Sequence, residues 1–100
     1  IGFWAGQKNN PTTSDWEIKS RLLAQLLAKS VGNVIGTYKA VSDLSYGISY
    51  SINRNSNMPS TLLELGFISN YHDAVIMDDS ASQKQMAREI ADGIDEYFGN

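Results

Sequence analysis

The sequence predicts an α/β fold of the three-layer sandwich type, a mostly parallel or mixed sheet covered by helices. Three observations carry this expectation. Strand-like and helix-like segments alternate along the chain, two long stretches repeat apolar residues at helical spacing, and residues 61–65 (Thr-Leu-Leu-Glu-Leu) are apolar on both faces of a strand. One hundred residues with 42% hydrophobic side chains amount to one small domain with a packed core.

Residues 1–5 (Ile-Gly-Phe-Trp-Ala) are apolar and aromatic and read as a short strand, and residues 6–13, with Asn-Asn-Pro, read as a loop. Ser14 with Glu17 three residues on has the capping-box pattern, and Leu22, Leu23, Leu26, Leu27 and Val31 recur at helical spacing up to Gly32, which the pattern makes the C-terminal stop. Residues 34–41 suit a strand or an extended connection. Residues 46–52 alternate Tyr46, Ile48, Tyr50 and Ile52 on one side, as a strand does. Residues 53–57 are turn-rich, and Pro59 can open the strand at 61–65, where its missing donor does no harm. Ser69 or Asn70 can cap a short helix over 71–77, and Ser80 with Gln83 forms a second capping box. The last helix then places Met86, Ile90, Ile94 and Phe98 on one stripe, with Lys84, Arg88, Glu89, Asp92 and Asp95 on the wet side. Both apolar stripes read as core faces.

Composition narrows the function. Eleven acidic against eight basic side chains, with no Lys/Arg block, argue against nucleic acid as a partner. No apolar run approaches the roughly 20 residues needed to span a bilayer, so no membrane partner is expected. The absence of Cys removes disulfides, thiolate zinc sites and thiol nucleophiles. Asp73, Asp78 and Asp79 lack the spacing of a calcium loop and read as helix caps, while His72 reads as an ordinary helix-surface histidine. Phe3, Trp4 and Trp16 could stack on a glycan, with core packing the safer reading. Glu64 stands apart: a carboxylate in an apolar strand costs several kcal/mol unless it is paired, metal-associated or protonated, which makes it a candidate functional group.

Around Glu64 lie Arg54, Ser56, Pro59, Ser60, Leu62, Gly66, Phe67, Ser69 and Asn70. At this spacing they resemble the R-x-T-x-x-P-A-x-L-x-E-x-G-F-x-S-N strand of the zinc-dependent N-acetylmuramoyl-L-alanine amidases, the Amidase_3 family; Ser56 and Ser60 replace a common Thr and Ala. Gly2-Phe3-Trp4 is similar to that family's aromatic strand. Ser20, Leu23 and Ala24 fit its S-x-x-L-A helix, and residues 85–94 fit its closing Q-x-x-A-x-x-I-A-x-G-I helix.

The resemblance implies hydrolysis of the amide bond between N-acetylmuramic acid and L-alanine of peptidoglycan. It implies a Zn2+ ion held by two His and one Glu, with Glu64 as the acid/base group on the metal-bound water, and Arg54 is a candidate for holding substrate or Glu64. The family's ligands lie in the half of the domain that precedes this sequence, so no metal ligand is assigned within it and the chain alone is expected to be inactive. Its Ile1 start suggests a piece of a longer protein. The chain then reads as the C-terminal portion, residues 1–100, of an amidase catalytic domain, needing its N-terminal half, a partner chain or self-association to cover apolar surface. The alternative is a degenerate, non-catalytic relative that binds peptidoglycan or regulates. Peptidoglycan as substrate implies the cell wall or extracellular space, reached by a secreted bacterial autolysin or by a phage endolysin.

Overall fold

The computed structural model describes residues 1–6 and 14–99. Strand β1 (Gly2–Trp4) leads to helix α1 (Ser14–Ile35), strand β2 (Ala40–Ser42), a 3-10 turn (Asp43–Tyr46), the short helix α2 (Ser51–Arg54), strand β3 (Leu62–Leu63) and helices α3 (Tyr71–Asp78) and α4 (Ser80–Tyr97). The sheet runs β2-β1-β3, with β2 parallel and β3 antiparallel to β1. This is the helix-covered mixed sheet that the alternation predicts.

The register explains the packing. Gly2 pairs with Leu63 and faces α1, so closely that a Cβ on it would lie 2.7 Å from the Ala24 carbonyl oxygen. Only glycine opposite the wholly buried Ala24 lets strand and helix approach this far. Phe3 pairs with Leu62 on the opposite face, where its ring meets Tyr46 and Tyr50 edge-on at centroid distances of 5.6 and 5.4 Å. Val31, Ile35 and Met86 form the buried cluster between α1 and α4, with Leu63, Ile76, Met77 and Ile90 against it. A Cβ on Gly93 would lie 2.5 Å from Ser30 Oγ, so α4 crosses α1 at a glycine.

Several expectations change. Helix α1 runs through Gly32, whose open side receives the Tyr38 ring, and stops before Gly36 at φ 103°. Gly36 supplies the left-handed residue that the sequence pattern gave to Gly32. The buried stripe of α1 is Ser20, Ala24, Leu27, Ala28, Val31 and Ile35, whereas Leu22 is exposed. Residues 34–41 divide between the end of α1, an extended link and the start of β2.

Residues 46–52 are not a strand: they span the end of the 3-10 turn, a link and the start of α2. The cause is Asp43, 1% exposed, whose Oδ1 accepts from Gly6 N–H and whose Oδ2 accepts from Tyr50 N–H. Its carboxylate satisfies backbone donors that a ladder would have used, and the alternation of Tyr46 and Tyr50 records their contact with Phe3.

The strand expected at 61–65 is shorter, Leu62–Leu63, and half-buried, because among the described residues it has a ladder partner only in β1. The expected loop falls on residues 7–13, outside the described residues, as does the Ser14 side chain of the first capping box. Asn70 caps α3 as expected, its Oδ1 accepting from Asp73 N–H at 3.0 Å. The cap of α4 is Asp79 rather than Ser80, and the Gln83 side chain donates to the Met77 carbonyl instead of closing a capping box.

The Ile stripe of α4 is only partly a core face. Ile94 and Phe98, with Leu22, Trp16, Ile52 and Met58, line an open apolar groove of about 860 Å³, and Phe98 is 71% exposed. No helix among the described residues is long and apolar enough to cross a membrane.

Two carboxyls at helix starts tie stability to pH. The Ser82 hydroxyl and then its N–H hold the Asp79 carboxyl below the usual carboxylate range, while Phe67 N–H and then His72 do the same for Asp73, against the effect of burial. A carboxyl depressed in the folded state stabilises fully above the unfolded value, about 3.9, and that contribution disappears as pH falls through the folded value. Thermal melts are therefore expected to be flat from pH 7 to about 5 and to fall below about pH 4. Asp79→Asn, which keeps a capping oxygen without the titrating charge, should flatten that fall; an unchanged slope would contradict the assignment.

Candidate active site

Glu64 lies immediately after β3, and its backbone extends the ladder. Glu64 N–H donates to the Ile1 carbonyl and the Ile1 amino group donates to the Glu64 carbonyl, both at 2.8 Å. Such an exchange pair fixes the Glu64 Cα as firmly as a strand residue. The half-buried Glu64 lines a cavity of about 260 Å³ with Ile1, Val31 and Ile35 of α1, Tyr38, Phe67 and Asp73.

The turn after Glu64 is anchored by α3. Asp73, 9% exposed, accepts from Phe67 N–H through Oδ2 at 3.1 Å, while its Oδ1 lies 3.3 Å from Nδ1 of the exposed His72. A Cβ on Gly66 would lie 2.8 Å from Met77 Sδ, so this glycine lets the turn lie flat on α3.

The segment leading into β3 is held by a second network. Asn53, buried, donates through Nδ2 to the Phe3 carbonyl, its Oδ1 accepts from Ser60 Oγ, and Ser60 N–H donates to Ser20 Oγ. Thr61 Oγ1 also donates to the Phe3 carbonyl. These bonds fix residues 53–61 to β1 and α1, and through them the start of the strand that presents Glu64.

A family model for N-acetylmuramoyl-L-alanine amidase matches residues 11–96, which include Glu64 and every residue of the two networks except Phe3. The chain belongs to this amidase family. Among its curated relatives, "Probable cell wall amidase LytH" of Staphylococcus epidermidis is 35% identical over 52 residues, which cover 52% of this amidase chain and 18% of that protein. An uncharacterized cell wall amidase of Bacillus anthracis is 33% identical over 92 residues, 92% of the chain and 16% of the relative. The uncharacterized protein YqiI of Bacillus subtilis is 35% identical over 95 residues, 95% of the chain and 39% of the relative. The chain thus spans between about a sixth and two fifths of these relatives' lengths. No solved structure matches the amidase chain significantly.

The structure does not bring the two candidate site residues of this amidase together. Arg54 lies in a cleft with Ala5, Trp16 and Ser56 and donates through Nη1 to the carbonyl and hydroxyl of Ser49. Ile1 borders the Glu64 cavity and Ala5 the Arg54 cleft, so Glu64 and Arg54 line different pockets.

Among the described residues no three His, Asp or Glu side chains converge to hold a metal ion, and the one histidine, His72, lies beside Asp73. These residues do not make the zinc site that the amidase resemblance implies. Sequence reasoning passed over Asp43, Asn53 and Asp73 as contributors to the site's framework. The Asn70-x-x-Asp73 spacing, a capping pattern at the end of the Glu64 motif, is the signal that points to Asp73.

Proposed function

We propose that this chain is the part of a peptidoglycan amidase catalytic domain that supplies the acid/base carboxylate, Glu64, for cleavage of the amide between N-acetylmuramic acid and L-alanine. The observation that supports this reading is the setting of Glu64: a half-buried residue on a ladder-fixed backbone that lines a cavity, within the stretch matched by the amidase family. There it can accept a proton from the attacking water and return it to the leaving amine, which must depart protonated at neutral pH. Zinc, on which the family generally depends, falls to residues outside those described. The partners in this reading are the glycan and stem peptide of the wall, together with the remainder of the catalytic domain, which would also cover the apolar groove. The site of action is the cell wall, outside the cytoplasmic membrane.

In the same reading Arg54 contacts substrate away from the scissile bond, with guanidinium donors beyond the Nη1 fork to Ser49. Arg54→Ala is then expected to raise KM severalfold with kcat within about twofold, the pattern of lost uniform binding. An equal fall in kcat would reject that role.

Incubation of the complete protein, supplied with zinc, with purified bacterial cell walls tests the proposal. Release of soluble wall fragments is expected. Sedimentation with the walls without release would support the alternative, a peptidoglycan-binding or regulatory relative.

A further inference from the structure

The backbone on the two sides of Glu64 is held by different means. On its N-terminal side it belongs to the sheet: Leu62 and Leu63 pair with Phe3 and Gly2, and Glu64 itself exchanges two bonds with Ile1. On its C-terminal side residues 65–67 leave the ladder, and the next anchor among the described residues is Phe67, whose N–H donates to Asp73 Oδ2 at 3.1 Å. The Phe67 carbonyl then accepts from Asn70 N–H at 3.0 Å, closing the turn.

Asp73 is the third residue of α3, where an acidic side chain ordinarily turns back to the N–H of the cap residue. Here it reaches past Asn70 to Phe67, three residues further upstream, while Asn70 Oδ1 takes the Asp73 N–H. The carboxylate stays 9% exposed and sits beneath Gly66, whose missing Cβ leaves room for Asp73 Cβ at 3.4 Å and Met77 Sδ at 2.8 Å. A buried carboxylate that bypasses its own helix cap to hold a turn also lines the cavity that Glu64 lines. The adjacent N–H and the start of α3 favour its ionised form at neutral pH.

We propose that Asp73 is a positioning residue for the amide hydrolysis: by holding the Phe67 N–H it fixes the direction in which the strand end delivers the Glu64 carboxylate into the cavity. The proposal rests on the reading of Glu64 as the acid/base group. Displacing a reacting group by about 1 Å costs on the order of 100-fold in rate, so the effect should appear in kcat and not in substrate binding.

The test uses the complete protein, supplied with zinc, and a soluble N-acetylmuramoyl-peptide substrate. Asp73→Ala is expected to lower kcat by about 10- to 100-fold with KM within about twofold. Amide hydrogen exchange at Phe67 should rise at least about tenfold while α4 amides stay unchanged. Asp73→Asn, which keeps an oxygen able to accept the Phe67 N–H, should restore most of both. Met86→Ala, a core substitution outside the residues that line the cavity, serves as the stability control and should lower the melting temperature without the selective loss of kcat.

Faster Phe67 exchange with unchanged kcat, or a loss in Asp73→Ala no larger than in a control of equal melting temperature, would overturn the proposal. If Glu64→Gln itself keeps full activity, the reading of Glu64 falls and the catalytic consequence with it; Phe67 exchange then decides separately whether Asp73 holds the turn.

Discussion

Glu64→Gln in the complete protein is expected to lower amide hydrolysis by about 10²- to 10⁴-fold, the range for removing a positioned acid/base group. The substitution changes one oxygen to an amide nitrogen and keeps volume and planarity. The ladder bonds of residue 64 are made by its backbone, to Ile1, and survive the change. Among the described residues no side chain donates a hydrogen bond to the Glu64 carboxylate, so its removal strands no buried partner, and the melting temperature should move by less than a few degrees. A large fall in kcat with intact folding and unchanged wall binding separates chemistry from scaffold. If the variant instead loses activity in step with unfolding, Glu64 is a structural carboxylate.

Phe3→Ala should produce the largest loss of stability. Phe3 is 4% exposed, and its ring is the common partner of Tyr46 and Tyr50 on the sheet face opposite α1. Removing a buried Phe ring costs about 3–5 kcal/mol, against a total of about 5–15 kcal/mol for a domain of ordinary stability. The segment at stake is the one that Asp43 and Asn53 tie to β1, because Phe3 also provides the carbonyl that accepts from Asn53 and Thr61. At about 4–8 °C per kcal/mol for a domain this size, the melting temperature should fall by more than about 10 °C. Ile68→Ala, at a side chain 82% exposed, should change it little. A small shift in Phe3→Ala would mean that the aromatic cluster does not hold this face together.

The three longer helices, α1, α3 and α4, were legible in the sequence because their signals are local. Asn70 capping α3 and the Met86 stripe of α4 need only residues three or four apart. The segment at 46–52 was misread because its determinant is distant: Asp43 takes the Gly6 and Tyr50 N–H groups, a pairing across 37 residues that no window of alternation contains. Gly32 and Gly36 are indistinguishable as letters, and only the packing of Tyr38 against Gly32 decides which one ends α1. Leu22, Ile94 and Phe98 carry a core-face pattern yet line an open groove, since periodicity reports that a face is apolar and not what covers it.

The candidate site divides in the same way. Glu64 was legible as a charge out of place in an apolar strand. That Arg54 lines a different pocket from Glu64, and that Asp73 anchors the turn after it, depend on tertiary packing that no local pattern shows.

The most direct test of the central claim is the chemistry of the bond that is cut. Purified peptidoglycan, treated with the complete zinc-supplied protein and with its Glu64→Gln variant, is assayed for new amino termini and for new reducing sugar ends. The account predicts new L-alanine amino termini with no new reducing ends for the unmodified protein, and neither for the variant. New reducing ends, amino termini other than L-alanine, or equal L-alanine release by the variant would contradict it.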